Sequence, residues 1–195
     1  MLPWHAIRAR SCVCAALLAL SSLGAASAQA RAPRAHVASS AVAVAASAPE
    51  CRNATQAGGG RGQEHTILCL INAERSRAGV PRLRRSGALA RAAERHARDM
   101  TRRNYFDHVS PSGATPMTRV RDAGYRATTV AENIAFGTGS WGTPAGTIAQ
   151  WLDSPGHRHA MLSPDVRELG VGAVSGSPMS NVDGGLTVTA DFGDR

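Results

Sequence analysis

Between Tyr105 and Gly172, three short islands place titrating or ligating groups beside turn formers and apolar residues. No other stretch restricts the possible fold as much. The islands are Phe106-Asp107-His108-Val109-Ser110-Pro111, Ala131-Glu132-Asn133-Ile134-Ala135 and Trp151-Leu152-Asp153-Ser154-Pro155-Gly156-His157-Arg158. Arg119 lies between the first two, and Glu168-Leu169-Gly170-Val171-Gly172 follows the third. A histidine beside Ser-Pro is common, and so is a glutamate in an apolar strand. The information lies in the ordered set.

The elements around the islands follow from caps and periodicity. Ile67, Leu68, Leu70 and Ile71 begin a helix that closes at Gly79-Val80-Pro81, where glycine admits a left-handed cap and proline forbids continuation. Ser86 is the N-cap of a second helix to about Arg103. On that helix Arg91, Arg95, Arg98 and Arg102 form a solvated stripe opposite Leu89, Ala93, His96 and Met100. His96 therefore reads as a hydrogen-bonded core residue, outside the site. Thr115-Pro116 and Thr143-Pro144 each set a cap before a proline at the first helical position. His157 to Leu162 reads as a further helical turn, and Val130–Phe136, Leu169–Val174 and Leu186–Phe192 as strands. The class is α+β with a small, mainly antiparallel sheet.

The first thirty residues read as a secretory signal. Arg8 and Arg10 supply the positive region, Cys12 to Leu23 the apolar region, and Ala26-Ser27-Ala28 or Ala28-Gln29-Ala30 the cleavage site. The apolar run is shorter than the roughly 20 residues of a membrane span, so no transmembrane segment is expected after cleavage. The product is expected to be secreted or periplasmic. Residues 31–62, rich in Ala, Ser, Pro and Gly, are expected to be a disordered linker, and residues 63–195 the folded domain, stable without it. Cys51 and Cys69 are the cysteines left after cleavage. In an oxidising compartment they read as a disulfide, against the plainer reading of a buried Cys69 and an incidental Cys51. The formal net charge is +8, but all 22 basic residues are arginine and aromatics are few. That pattern reflects coding bias better than a nucleic-acid surface, so no nucleic-acid partner is expected.

With the islands in hand, further pieces fall into line. These are Asn72-x-x-Arg75 and Gly79, Ala97-x-Asp99-Met100, Pro116-x-x-Arg119 and the closing Phe192-Gly193. Together they resemble, over roughly residues 64 to 193, the CAP superfamily in its bacterial form. Its SCP domain unites cysteine-rich secretory proteins, insect antigen 5 and plant pathogenesis-related proteins. The resemblance implies an α-β-α sandwich with a central antiparallel sheet, and a shallow cleft where two histidines and one or two acids face each other. His108, Glu132 and His157 match the cleft positions. Ser154 stands where many eukaryotic members carry a second glutamate.

Two imidazoles and a carboxylate suit a divalent transition metal such as zinc, bound weakly through His108, Glu132 and His157. They also suit a hydrogen-bonded network that orders loops and, with less to support it, a catalytic centre. Ser110 and Ser154 precede prolines and read as turn or cap residues, not nucleophiles. Two functions stay open. One is an exported non-enzymatic module binding a lipid, glycan, protein or metal at the cell envelope. The other is a metal-assisted hydrolase acting on an envelope polymer or peptide.

Overall fold

Threonine and serine hydroxyls begin three of the helices. In the computed structural model, which describes residues 40–195, α1 spans Arg61–Arg77, α2 Gly87–Arg103, α3 Pro116–Asp122, α4 Pro144–Asp153 and α5 Pro155–Leu162. The expected signal segment lies outside the described residues. Ser86, Thr115 and Thr143 accept from the backbone N–H of Leu89, Thr118 and Gly146 respectively, satisfying donors that the first helical turn leaves orphaned. The strands are β1 (Arg84–Arg85), β2 (Val130–Gly137), β3 (Glu168–Ser175) and β4 (Leu186–Gly193), in the order β1-β3-β4-β2. β4 pairs antiparallel with both β2 and β3, and the two-residue β1 joins β3 in parallel.

Alternation along the strands decides which layer each face meets. Leu169, Val171 and Ala173 of β3, with Val188, Ala190 and Phe192 of β4, pack into one core with Ile67, Leu70 and Ile71 of α1 and Ile148 and Trp151 of α4. The opposite face of β3 carries Gly170 and Gly172. A Cβ on Gly170 would strike the backbone of Leu89 and Ala90, and one on Gly172 the backbone of Ala93 and Glu94. α2 therefore lies directly on the sheet, with helices on both faces, as an α-β-α sandwich requires. The arginine stripe of α2 faces solvent, as its periodicity predicts.

Two polar side chains lock the end of α1. Asn72 donates to the Leu83 carbonyl at 3.0 Å and accepts from its N–H at 2.7 Å, fixing the connector into β1. Arg75, fully buried, donates to the carbonyls of Pro81, Met161 and Ser163 at 2.7, 2.8 and 2.9 Å. These motif residues hold the frame and do not enter the cleft.

The expected disordered linker is corrected by residues 40–62. A short helix over 40–46 and the following loop bury Ala41, Val44, Ala48, Cys51 and Ala54 in the main core. The Ala54 carbonyl accepts from Ala145 N–H, and Gly60 N–H donates to the Ala173 carbonyl, both at 2.8 Å. The Cys51–Cys69 disulfide is formed, and α1 begins at Arg61, before the expected start of the domain. Composition misleads here because small side chains offer little area. Their smallness instead lets this backbone approach closely enough to hydrogen-bond, and the disulfide removes much of the ordering cost.

A chain starting at Glu64 is accordingly expected to be less stable than one starting at Arg31. It loses a crosslink over 18 residues, contributing up to about 3 kcal/mol, and the burial of Val44, on the order of 1.5 kcal/mol. Calorimetry should show the melting midpoint falling by on the order of 10 °C. Equal midpoints would restore the segment to linker status.

Candidate functional site

The site grows from the outer strand β2. Consecutive residues of a strand point to opposite faces, so Glu132 turns toward α2 and Asn133 toward α5. The Asn133 amide donates to the His157 carbonyl at 2.9 Å and so anchors the first turn of α5. Glu132 is one residue away and almost wholly buried, its side chain 1% exposed.

Both Glu132 oxygens are engaged. Oε1 accepts from His108 Nδ1 at 2.7 Å, and Oε2 from an Arg119 terminal nitrogen at 2.5 Å. Arg119 also donates to the carbonyls of His108 and Ala114, at 2.9 and 2.8 Å, and so holds the backbone that carries the imidazole. Burial opposes ionisation of Glu132. The bond from His108 and the charge of Arg119 outweigh it and hold the carboxyl below its ordinary range. In return, the bond to Glu132 raises the pKa of His108, against partial burial. His157 responds in the opposite sense: burial lowers its pKa, and the neighbouring His108 lowers it further.

Beneath these lie two groups that the sequence reading left out of the site. His96, fully buried on α2, lies 3.9 Å from Glu132 Oε1 and donates through Nε2 to the Asp107 carbonyl at 3.0 Å. It ties the loop before His108 to α2. Burial holds this imidazole neutral against the pull of Glu132. Asp191 of β4 is paired directly opposite Glu132 and is fully buried, and apart from Glu132 its carboxyl has no hydrogen-bond partner among the described residues. Burial and the adjacent Glu132 raise its pKa far above the ordinary carboxyl range, so it stands as the neutral acid beneath an ionised one. The available signals were His96 on a buried helix face and the polar alternation Thr187, Thr189, Asp191.

The structure thus joins His108 to Glu132 and places His157 on the adjoining turn. It does not bring the three donors into one tight set. Among the described residues, three His, Cys, Asp or Glu ligand atoms lie within 4.8 Å of one another only at Glu50, Cys51 and Cys69, and both sulfurs there are in the disulfide. Ser110 Oγ accepts from Ala114 N–H and meets Ser112 Oγ at 3.0 Å, as a turn residue should. Trp151 is a core anchor, donating to the Ile134 carbonyl.

Residues 68–192 match the cysteine-rich secretory protein family, CAP. The chain belongs to this family. The Bacillus subtilis protein YkwD, itself uncharacterised, is 37% identical over 115 residues, which are 58% of this chain and 44% of YkwD. This CAP chain therefore spans less than half of that relative. An extracellular protein containing an SCP domain from Bacillus anthracis superposes with a TM-score of 0.59 at 30% identity, over 69% of this chain and 41% of that one. An outer surface protein of Borrelia burgdorferi gives a TM-score of 0.59 at 20% identity, over 72% and 99%, a likeness of fold. Among the described residues, no helix of the CAP chain is long and apolar enough to cross a membrane.

The network predicts a pH window. His108, raised above 6.5, stabilises the fold fully below that value and stops doing so as pH rises through its raised pKa. Glu132, held below 4.5, stabilises it above 4.5 and stops as pH falls through its lowered pKa. Glu132→Gln leaves Arg119 buried without its counter-charge, a loss of roughly 3–5 kcal/mol between those limits. The gap in melting midpoint between wild type and variant should narrow on both sides of the window. A pH-independent gap would contradict the assignment.

Proposed function

We propose that the chain is an exported, non-enzymatic CAP binding module acting outside the cytoplasm. In this reading the imidazoles of His108 and His157 hold a divalent transition ion weakly, and Glu132 orients His108 from behind. One observation carries the reading. His108 gives Nδ1 to a buried carboxylate while its side chain remains 47% exposed, which leaves Nε2 directed to an incoming ligand. A carboxylate on the far nitrogen is the arrangement that fixes the tautomer of a metal-binding histidine and raises its basicity. Glu132 itself, engaged by His108 and Arg119, is then an orienting group and not a ligand.

The fit to an ion is partial, and that sets the expected strength. Two imidazoles supply two bonds, and the other positions fall to water or to an envelope ligand, a lipid, glycan or protein. When bound, such an ion would supply a Lewis-acidic contact point for an anionic or carbonyl group. A hydrolase would further need a free carboxylate at the open position. Glu132 Oε2 is held by Arg119 and Asp191 is sealed beneath it, which favours binding over turnover. For location, the support is the signal-like first thirty residues, together with the similarity to an extracellular protein from Bacillus anthracis.

Isothermal titration with zinc tests the proposal. Wild type is expected to bind about one ion, less tightly as pH falls through the histidine range, because imidazole must be neutral to ligate. His108→Ala with His157→Ala should abolish binding without unfolding the domain, and Glu132→Gln should weaken it roughly 10- to 100-fold. Equal affinity in wild type and the double alanine variant would overturn the metal reading.

A further inference from the structure

A separate cavity of about 280 Å³ opens beside the network, on the α2 flank. Its walls include Arg95, Asp99 and Arg103 from α2, Ser110 and Ser112 from the following loop, and Arg119. Arg95, Asp99 and Arg103 recur every four residues, so they share one stripe of the helix. Asp99 is already engaged, accepting from the Tyr105 hydroxyl at 2.6 Å and lying 3.6 Å from Arg103. Arg95 has no hydrogen-bond or ion-pair partner among the described residues. Three guanidiniums therefore face one carboxylate. Glu132 offsets the Arg119 charge from behind and Asp99 offsets Arg103, so the surplus rests on Arg95.

Arg119 supplies an independent pointer. Its side chain is 10% exposed, and its terminal nitrogens are spent on Glu132 and on the carbonyls of His108 and Ala114. Its Nε–H is buried with no acceptor. Leaving a charged donor unmatched is costly, and this donor belongs to a residue that lines a positively charged cavity. Nε itself is closed to solvent, so an oxyanion in the cavity would supply the missing acceptor with a small shift of this side chain.

We propose that this cavity is a binding site for a phosphate monoester, distinct from the His108–His157 side of the cleft. The surplus positive charge calls for an anion, and the number of donors on the walls calls for more acceptor oxygens than a carboxylate carries. Tetrahedral oxygens can also accept at once from the Arg95 and Arg103 forks, the Ser112 hydroxyl and Arg119 Nε–H. The volume exceeds that of the phosphate group alone, leaving room for the organic part of an ester. The same chemistry would be met by free inorganic phosphate.

The test titrates inorganic phosphate and, separately, glycerol 3-phosphate into the oxidised full chain at constant ionic strength, following the ¹⁵N-labelled arginine Nε–H signals. Both should saturate, with the Arg119 signal shifting. Tighter binding of the ester identifies an organic ligand, and equal binding identifies phosphate itself; either result supports the site. Arg95→Gln with Arg103→Gln should weaken binding about tenfold or more. Arg98→Gln with Arg102→Gln removes equal charge from the same helix away from the cavity and should change affinity by less than about twofold. Equal losses in the two pairs, or a stationary Arg119 signal at saturation, would overturn the proposal. The His108→Ala and His157→Ala variant should keep its phosphate affinity. Loss there would mean that the anion rides on a metal at the cleft, which would also overturn it.

Discussion

A carboxylate buried in an outer strand has to be neutralised, and the site follows from how Glu132 meets that requirement. It faces a second carboxyl, Asp191, directly across the ladder. Two charges there would repel strongly in a poorly solvated setting, so one group keeps its proton. Arg119 and His108 decide which: both bond to Glu132, while Asp191 has no partner apart from Glu132. The ion is therefore Glu132, and Asp191 is the neutral acid beneath it. Arg119 also grips the backbone of His108, so the charge that stabilises Glu132 fixes where the imidazole stands. Electrostatic compensation and positioning are one interaction in this protein.

That arrangement depends on close packing elsewhere. Gly170 and Gly172 let α2 lie against the sheet, where any side chain would meet helix backbone. At that distance His96 reaches both Glu132 and the Asp107 carbonyl, and so couples α2 to the loop that presents His108. Across the sheet, Asn133 performs the same service for α5 and His157. The two histidines are thus mounted on opposite layers of the sandwich and meet at the outer edge of β2.

Much of this was legible in the sequence because caps and alternation are local rules. Ser86, Thr115 and Thr143 begin helices where their hydroxyls predict, and the disulfide joins the expected pair. His108, Glu132 and His157 could be singled out from their motifs, although the motifs do not say that Glu132 gives both oxygens to protein partners. What escaped depends on contacts distant in the chain. The segment over 40–62 looked too poor in side-chain area to order, and it orders through backbone bonds to Ala145 and Ala173. His96 looked like a satisfied core residue, which it is, yet its partners are the floor and rim of the cleft. The β1 pairing was invisible because two exposed arginines carry no strand pattern.

The central claim is that Glu132 orients His108 so that Nε2 faces outward. Long-range ¹⁵N–¹H correlation spectra of the histidine rings, recorded above the raised His108 pKa, read this directly. The account predicts that neutral His108 carries its proton on Nδ1, donated to Glu132, with Nε2 bare, and that Glu132→Gln lets the tautomers mix. A proton on Nε2 in the wild-type protein would contradict it.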